Sequence, residues 1–145
     1  MIYLDTSYLV RLYFDDLGFE AVRSLAASDH VACAWHGQAE TMAAFHRKLR
    51  KKAIRSTQYR ALLGQFATDQ KAGGITWLPA GPEVLERIAE AYADLPAAVF
   101  LRAADALHLA TAALHGYDSI YSNDTHLLAA ASQFGLSAKN VISSR

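Results

Sequence analysis

Ile2-Tyr3-Leu4-Asp5-Thr6-Ser7-Tyr8-Leu9-Val10 decides how the rest of the chain is read. Three apolar residues run into an acid. Asp5, Thr6 and Ser7 are side chains that start helices by accepting free backbone N–H groups. Leu9, Val10, Tyr13 and Phe14 then recur at helical spacing. The stretch therefore predicts a short buried strand that feeds directly into a helix, with a carboxylate at the junction.

The same alternation continues outward. A helix is expected over about Phe19–Ala27, then a strand at Val31–Ala34. Gly37–Arg50 reads as a helix with Ala39, Met42, Ala43 and Leu49 as core candidates. Thr57–Gln70 predicts another, stopped by Gly73-Gly74. Ile75–Leu78 is a strand closed by Pro79, and Pro82 opens a helix carrying Val84, Leu85, Ile88, Ala89 and Tyr92. Arg102–Leu114 is an Ala- and Leu-rich helix ended by Gly116. Ser119–Ser122 is a strand, Thr125–Phe134 a helix ended by Gly135, and Val141-Ile142 a last short strand. Strands alternating with helices predict an α/β fold with a mainly parallel sheet covered on both faces. The 145 residues fit one domain, 1–145.

Composition narrows the class. With 52% hydrophobic and 19% charged residues the chain is not disordered. The lone Cys33 lies in an apolar run and reads as a small buried hydrophobe. With no disulfide partner and no signal-like opening, a reducing cytoplasm is expected. No apolar run nears the roughly 20 residues of a membrane span. Net charge is zero, yet Arg47, Lys48, Arg50, Lys51, Lys52, Arg55 and Arg60 form a block without an acid. Such a block is either a solvated helix face or a phosphate-binding footprint.

Four acids carry the candidate chemistry. Asp5 and Asp124 fall at carboxyl ends of predicted strands, where open parallel sheets gather functional groups. Taken singly, each is also a natural helix N-cap, and Glu40 a natural first-turn acid. Asp105 sits in a helix apolar nearly all round, so it should be buried. A buried carboxylate costs several kcal/mol unless paired or bound to a cation. Arg102, three residues before it, is the obvious salt-bridge partner, with His108 packed nearby three residues after. A set of oxygen ligands suits Mg²⁺ or Mn²⁺ rather than Zn²⁺. The histidines show no HxxxH pair, and no P-loop, GxGxxG or GxSxG is present.

Tyr3–Leu9, Arg102–Ala112 and Ile120–Ala131 resemble the signature segments of PIN-domain ribonucleases, in particular the VapC toxins of toxin–antitoxin pairs. Asp105-Ala106-Leu107-His108-Leu109-Ala110 is the most specific piece, and Ala39-Glu40 matches the second acid of the pattern. The resemblance implies a three-layer α/β/α fold with four to five short strands. It makes Asp5, Glu40, Asp105 and Asp124 the metal-binding catalytic acids, with Thr6, Ser122 and Arg102 in support. It implies a Mg²⁺ or Mn²⁺ cofactor, an RNA substrate cut by metal-activated water, a VapB-like antitoxin and a homodimer. Arg47, Lys48, Arg50, Lys51 and Lys52 would then attract the RNA backbone. The run Ala34–Gln38 before Glu40 departs from the family's hydroxyl-rich approach. Rival readings are a PIN nuclease of RNA processing or DNA, and a non-catalytic RNA-binding PIN module. Phosphotransfer through Asp5 is disfavoured. Ser7 stands where a dehalogenase-type site needs a second Asp, and Asp15-Asp16 comes a helix too late for a receiver.

Overall fold

The computed structural model describes residues 1–143. In chain order it holds β1 (Ile2–Tyr3), α1 (Thr6–Tyr13), α2 (Phe19–Ser28), β2 (Val31–Ala34), α3 (Gly37–Arg50) and α4 (Ser56–Ala72). There follow β3 (Ile75–Leu78), α5 (Pro82–Asp94), α6 (Ala103–Leu114), β4 (Ser119–Tyr121), α7 (Thr125–Ala130), a 3₁₀ turn (Ala131–Phe134) and β5 (Ser137–Lys139). All strand pairs are parallel: β1 with β2, β2 with β3 and β4 with β5. A bridge from Leu4 to Tyr121 joins the two groups, giving the order β3-β2-β1-β4-β5. The chain first builds outward from β1 in one direction and later returns to β1's other side. The crevice between the ends of β1 and β4 is thus the switch point where parallel sheets open a site.

Side-chain alternation along the strands makes the three layers. Tyr3, Ala32 and Ala34 point into the core formed with α5, α6 and α7, including Val84, Leu109 and Leu127. Leu4, Val31 and Cys33 point the other way, against Tyr8, Leu9 and Val22 of α1 and α2. A third cluster of Val10, Phe45 and Phe66 ties α1 to α3 and α4.

Three expectations change. The last strand is Ser137–Lys139, not Val141-Ile142. Its residues are exposed on an edge, so they lack the apolar signal of a core strand. Ile142 is apolar because it packs on the α1–α2 core, not because it pairs. In α3 the buried stripe is Gly37, Thr41 and Phe45, whereas Ala39, Met42 and Ala43 face outward. Thr41 can be buried because its hydroxyl donates to the Gly37 carbonyl at 2.7 Å. In α5 Val84 and Ala91 turn inward, while Leu85 and Tyr92 are exposed.

Gly37 sets how closely α3 meets the sheet. A Cβ there would lie 2.5 Å from Cys33 Sγ, well inside van der Waals contact. Only glycine lets the start of α3, and with it Glu40, sit directly against β2. No helix among the described residues is long and apolar enough to cross a membrane.

Candidate active site

Asp5, Glu40, Asp105 and Asp124 all line one cleft of about 640 Å³ at the carboxyl edge of the sheet. They arrive from four different elements: the end of β1, the first turn of α3, the first turn of α6 and the end of β4.

Asp5 and Asp124 do cap helices, and capping leaves each with a second oxygen to spare. Asp5 Oδ1 accepts from the Tyr8 amide at 3.2 Å and from Ser7 Oγ at 2.6 Å. Its Oδ2 accepts from Ser122 Oγ at 2.5 Å. Ser122 in turn accepts from the Asp124 amide at 2.9 Å, so one hydroxyl holds the first and last acids in register. Asp124 Oδ1 caps α7 through the amides of His126 and Leu127. Its Oδ2 pairs with Arg102.

Asp5 is 4% exposed and forms no ion pair among the described residues. Burial pushes its carboxyl above the ordinary Asp range, against the pull of His108 and of its hydroxyl donors. Asp105 is also buried, and its Oδ2 accepts from Arg102 Nε at 2.9 Å. Burial raises it too; Arg102 opposes that rise and the neighbouring Asp124 adds to it. Arg102 therefore forks across Asp105 and Asp124, a cation placed between two carboxylates.

Glu40 has a different setting. Its Oε1 accepts from Thr6 Oγ1 at 2.9 Å and faces His108 Nε2 at 2.5 Å and His36 Nε2 at 3.3 Å. Burial disfavours its charge, but His108, Thr6 and His36 together outweigh that and hold it below the usual Glu range. His108, 1% exposed, is held on its other nitrogen by the Tyr3 hydroxyl at 2.7 Å. Sequence reasoning placed His108 beside Asp105 only as a packing neighbour and gave His36 no role. The readable signal was the i,i+4 spacing of His36 and Glu40.

The basic block divides. Arg47, Lys48 and Lys51 line the cleft; Arg50 and Lys52 are not among its lining residues. Lys48 is already engaged, its Nζ lying 2.8 Å from both oxygens of Asp16 and over the Phe14 ring.

These residues fit a hard divalent cation. The donors at the cleft floor are carboxylate and hydroxyl oxygens. Among the described residues Asp5 is a buried carboxylate without an ion-pair partner, and Arg102 supplies one positive charge where Asp105 and Asp124 need charge balance. Asp5, Asp105 and Asp124 would hold the ion, with Glu40 at its edge.

The fold is shared with solved structures. The chain superimposes on VapC20 of Mycobacterium tuberculosis, a toxin that cleaves the sarcin-ricin loop, with a TM-score of 0.70 and 20% identity over 90% of this chain and 95% of that one. VapBC2 from Rickettsia felis, bound to a DNA fragment from its promoter, gives 0.66 and 17% over 97% and 98%. FitAcB from Neisseria gonorrhoeae gives 0.73 and 20% over 95% and 96%. No curated protein matches the chain by sequence. The PIN-domain family model matches residues 2–132, and with that span covering nearly all of the fold just described, the chain belongs to the PIN-domain family.

Proposed function

We propose that this chain, working as one domain, is a Mg²⁺- or Mn²⁺-dependent endoribonuclease and the toxin of a VapBC-type pair. One observation carries the reading: four acids from four elements meet in a single cleft whose side wall is Arg47, Lys48 and Lys51. A divalent cation held there would supply a nucleophilic water and charge neutralisation at the scissile phosphate. The chain's own residues do the rest. Asp5, Asp105 and Asp124 would hold the ion, aligned by Ser122 and by the caps of α1 and α7. Glu40, set by Thr6 and His108, orients the attacking water. Arg47 and Lys51 draw the RNA backbone along the wall.

Single-stranded or looped RNA suits this shape, because an A-form duplex hides its bases in a deep, narrow groove. VapC20, whose fold is shared, cleaves the sarcin-ricin loop, which favours RNA over DNA. The VapBC2 complex with its promoter DNA favours an antitoxin partner, and we include a homodimer and a cytoplasmic location in the same reading. The test is cleavage of an RNA with an exposed loop. Cutting is expected in Mg²⁺ or Mn²⁺, with none in EDTA and none by Asp5→Asn or Asp105→Asn. Full cutting in EDTA overturns the mechanism.

A further inference from the structure

His36, Glu40 and His108 form a group that the acid cleft does not explain. One donor atom from each lies within 4.8 Å of the other two. His36 and Glu40 stand one turn apart at the head of α3, and His108 reaches them from α6. The two imidazole rings are 4.2 Å apart, tilted at 48°, and both face the same carboxylate oxygen. Two nitrogens and one oxygen are the donor set of a borderline cation, unlike the oxygen-only floor beside it.

We propose that His36, Glu40 and His108 form a second metal site, for Zn²⁺, that shares Glu40 with the acid cleft. Three features support it. The His36–Glu40 separation of 3.3 Å already matches the roughly 3.3 Å between ligands of a tetrahedral zinc. His108 Nε2 and Glu40 Oε1, at 2.5 Å, need open only by about 1 Å as the metal replaces the shared proton. The outer support is also built: the Tyr3 hydroxyl holds His108 Nδ1 and the Thr6 hydroxyl holds Glu40, the arrangement that orients metal ligands elsewhere. His36 Nδ1 is buried without a hydrogen-bond partner among the described residues. Its Nε2 lies 3.1 Å from the Ala104 carbonyl and would exchange that contact for the metal. Glu40 and His108 line the cleft, and water from it would complete the set.

The site goes beyond the nuclease reading and is tested without RNA. Zn²⁺ is titrated calorimetrically into the full chain carrying Asp105→Asn, which weakens the oxygen-only floor. Co²⁺ is used in parallel to read coordination from its visible d–d absorption. One equivalent of Zn²⁺ is expected, with a Co²⁺ spectrum of nitrogen and oxygen ligands in low coordination. Adding His36→Ala should abolish binding; Glu40→Gln should weaken it strongly; Tyr3→Phe should weaken it about tenfold. The His36 side chain is 21% exposed rather than buried in the core, so its variant should fold, and melting curves check this. The proposal is overturned if the parent binds no Zn²⁺, or if a folded His36→Ala variant binds it unchanged. It is equally overturned if Asp124→Asn, not His36→Ala, removes the equivalent. A chain that binds Zn²⁺ here yet cuts no RNA keeps the site and loses the nuclease; the reverse result separates them as clearly.

Discussion

Replacing Asp5 by Asn should abolish cleavage and stabilise the protein in the same step. A residue serving only as a cap or a packing element would not behave this way. Asp5 is almost fully buried, and taking a carboxylate out of water costs several kcal/mol. Hydrogen bonds from Ser7, Ser122 and the Tyr8 amide return part of that cost, but burial wins and the carboxyl is pushed up. An Asn at this position keeps the oxygen facing Ser7 and Tyr8, and Asn caps helices as well as Asp. Its amide nitrogen would face Ser122 Oγ, whose proton then loses its acceptor, at about 1 kcal/mol. Relief of the buried charge exceeds this, and a net gain of roughly 1 kcal/mol raises the melting temperature by about 3 °C for a chain of this length.

The assay is thermal melting in chelator across the acid-to-neutral range. An acid whose folded-state pKa is raised binds more protons in the native state. Stability therefore falls as pH rises from the ordinary Asp range, near 4, through the raised value. Wild type should lose more stability over that window than Asp5→Asn, which keeps only the Asp105 contribution. The gap between them opens with rising pH and closes toward acid; Asp105, also raised, is present in both proteins. Mg²⁺ at a hundredfold excess over its dissociation constant should stabilise wild type by about 2.7 kcal/mol, and the variant less. A variant that melts lower than wild type in chelator at every pH, together with a wild type indifferent to Mg²⁺, would refute the reasoning and leave Asp5 a structural cap.

Two further outcomes follow from the cleft. Arg102→Ala should bind Mn²⁺ several-fold more tightly by calorimetry, because the guanidinium that forks over Asp105 and Asp124 competes with the ion for the same oxygens; unchanged or weaker binding removes that role. Lys51→Ala should lower the salt slope of single-stranded RNA binding by about 0.7, the value of one lost phosphate contact. Lys52→Ala, not among the cleft-lining residues, should move the slope less, and equal slopes in wild type and Lys51→Ala would return the block to a solvated helix face.

Sequence alone determined the layer architecture and singled out the four acids that line one cleft. Strand and helix periods are local properties, and Asp5, Asp105 and Asp124 each sit in a segment whose pattern can be read without its neighbours. It also located Arg102 as Asp105's partner, since three residues along one helical stripe are neighbours whatever the fold. It misjudged the inward faces of α3 and α5, where Ala, Met and Leu occur on more than one stripe and only the packing partner selects the phase. It missed β5, because an exposed edge strand is held by backbone pairing with β4, which leaves no mark on side-chain polarity. Tertiary structure alone decided what the acids share. The return of the chain to β1 brings Ser122 to Asp5 across 117 residues, and Asp124 with it. The crossing of α6 over β2 brings His108 to Glu40 across 68. Contacts of that range depend on strand order, and strand order is set by how whole layers bury their faces, not by any one segment.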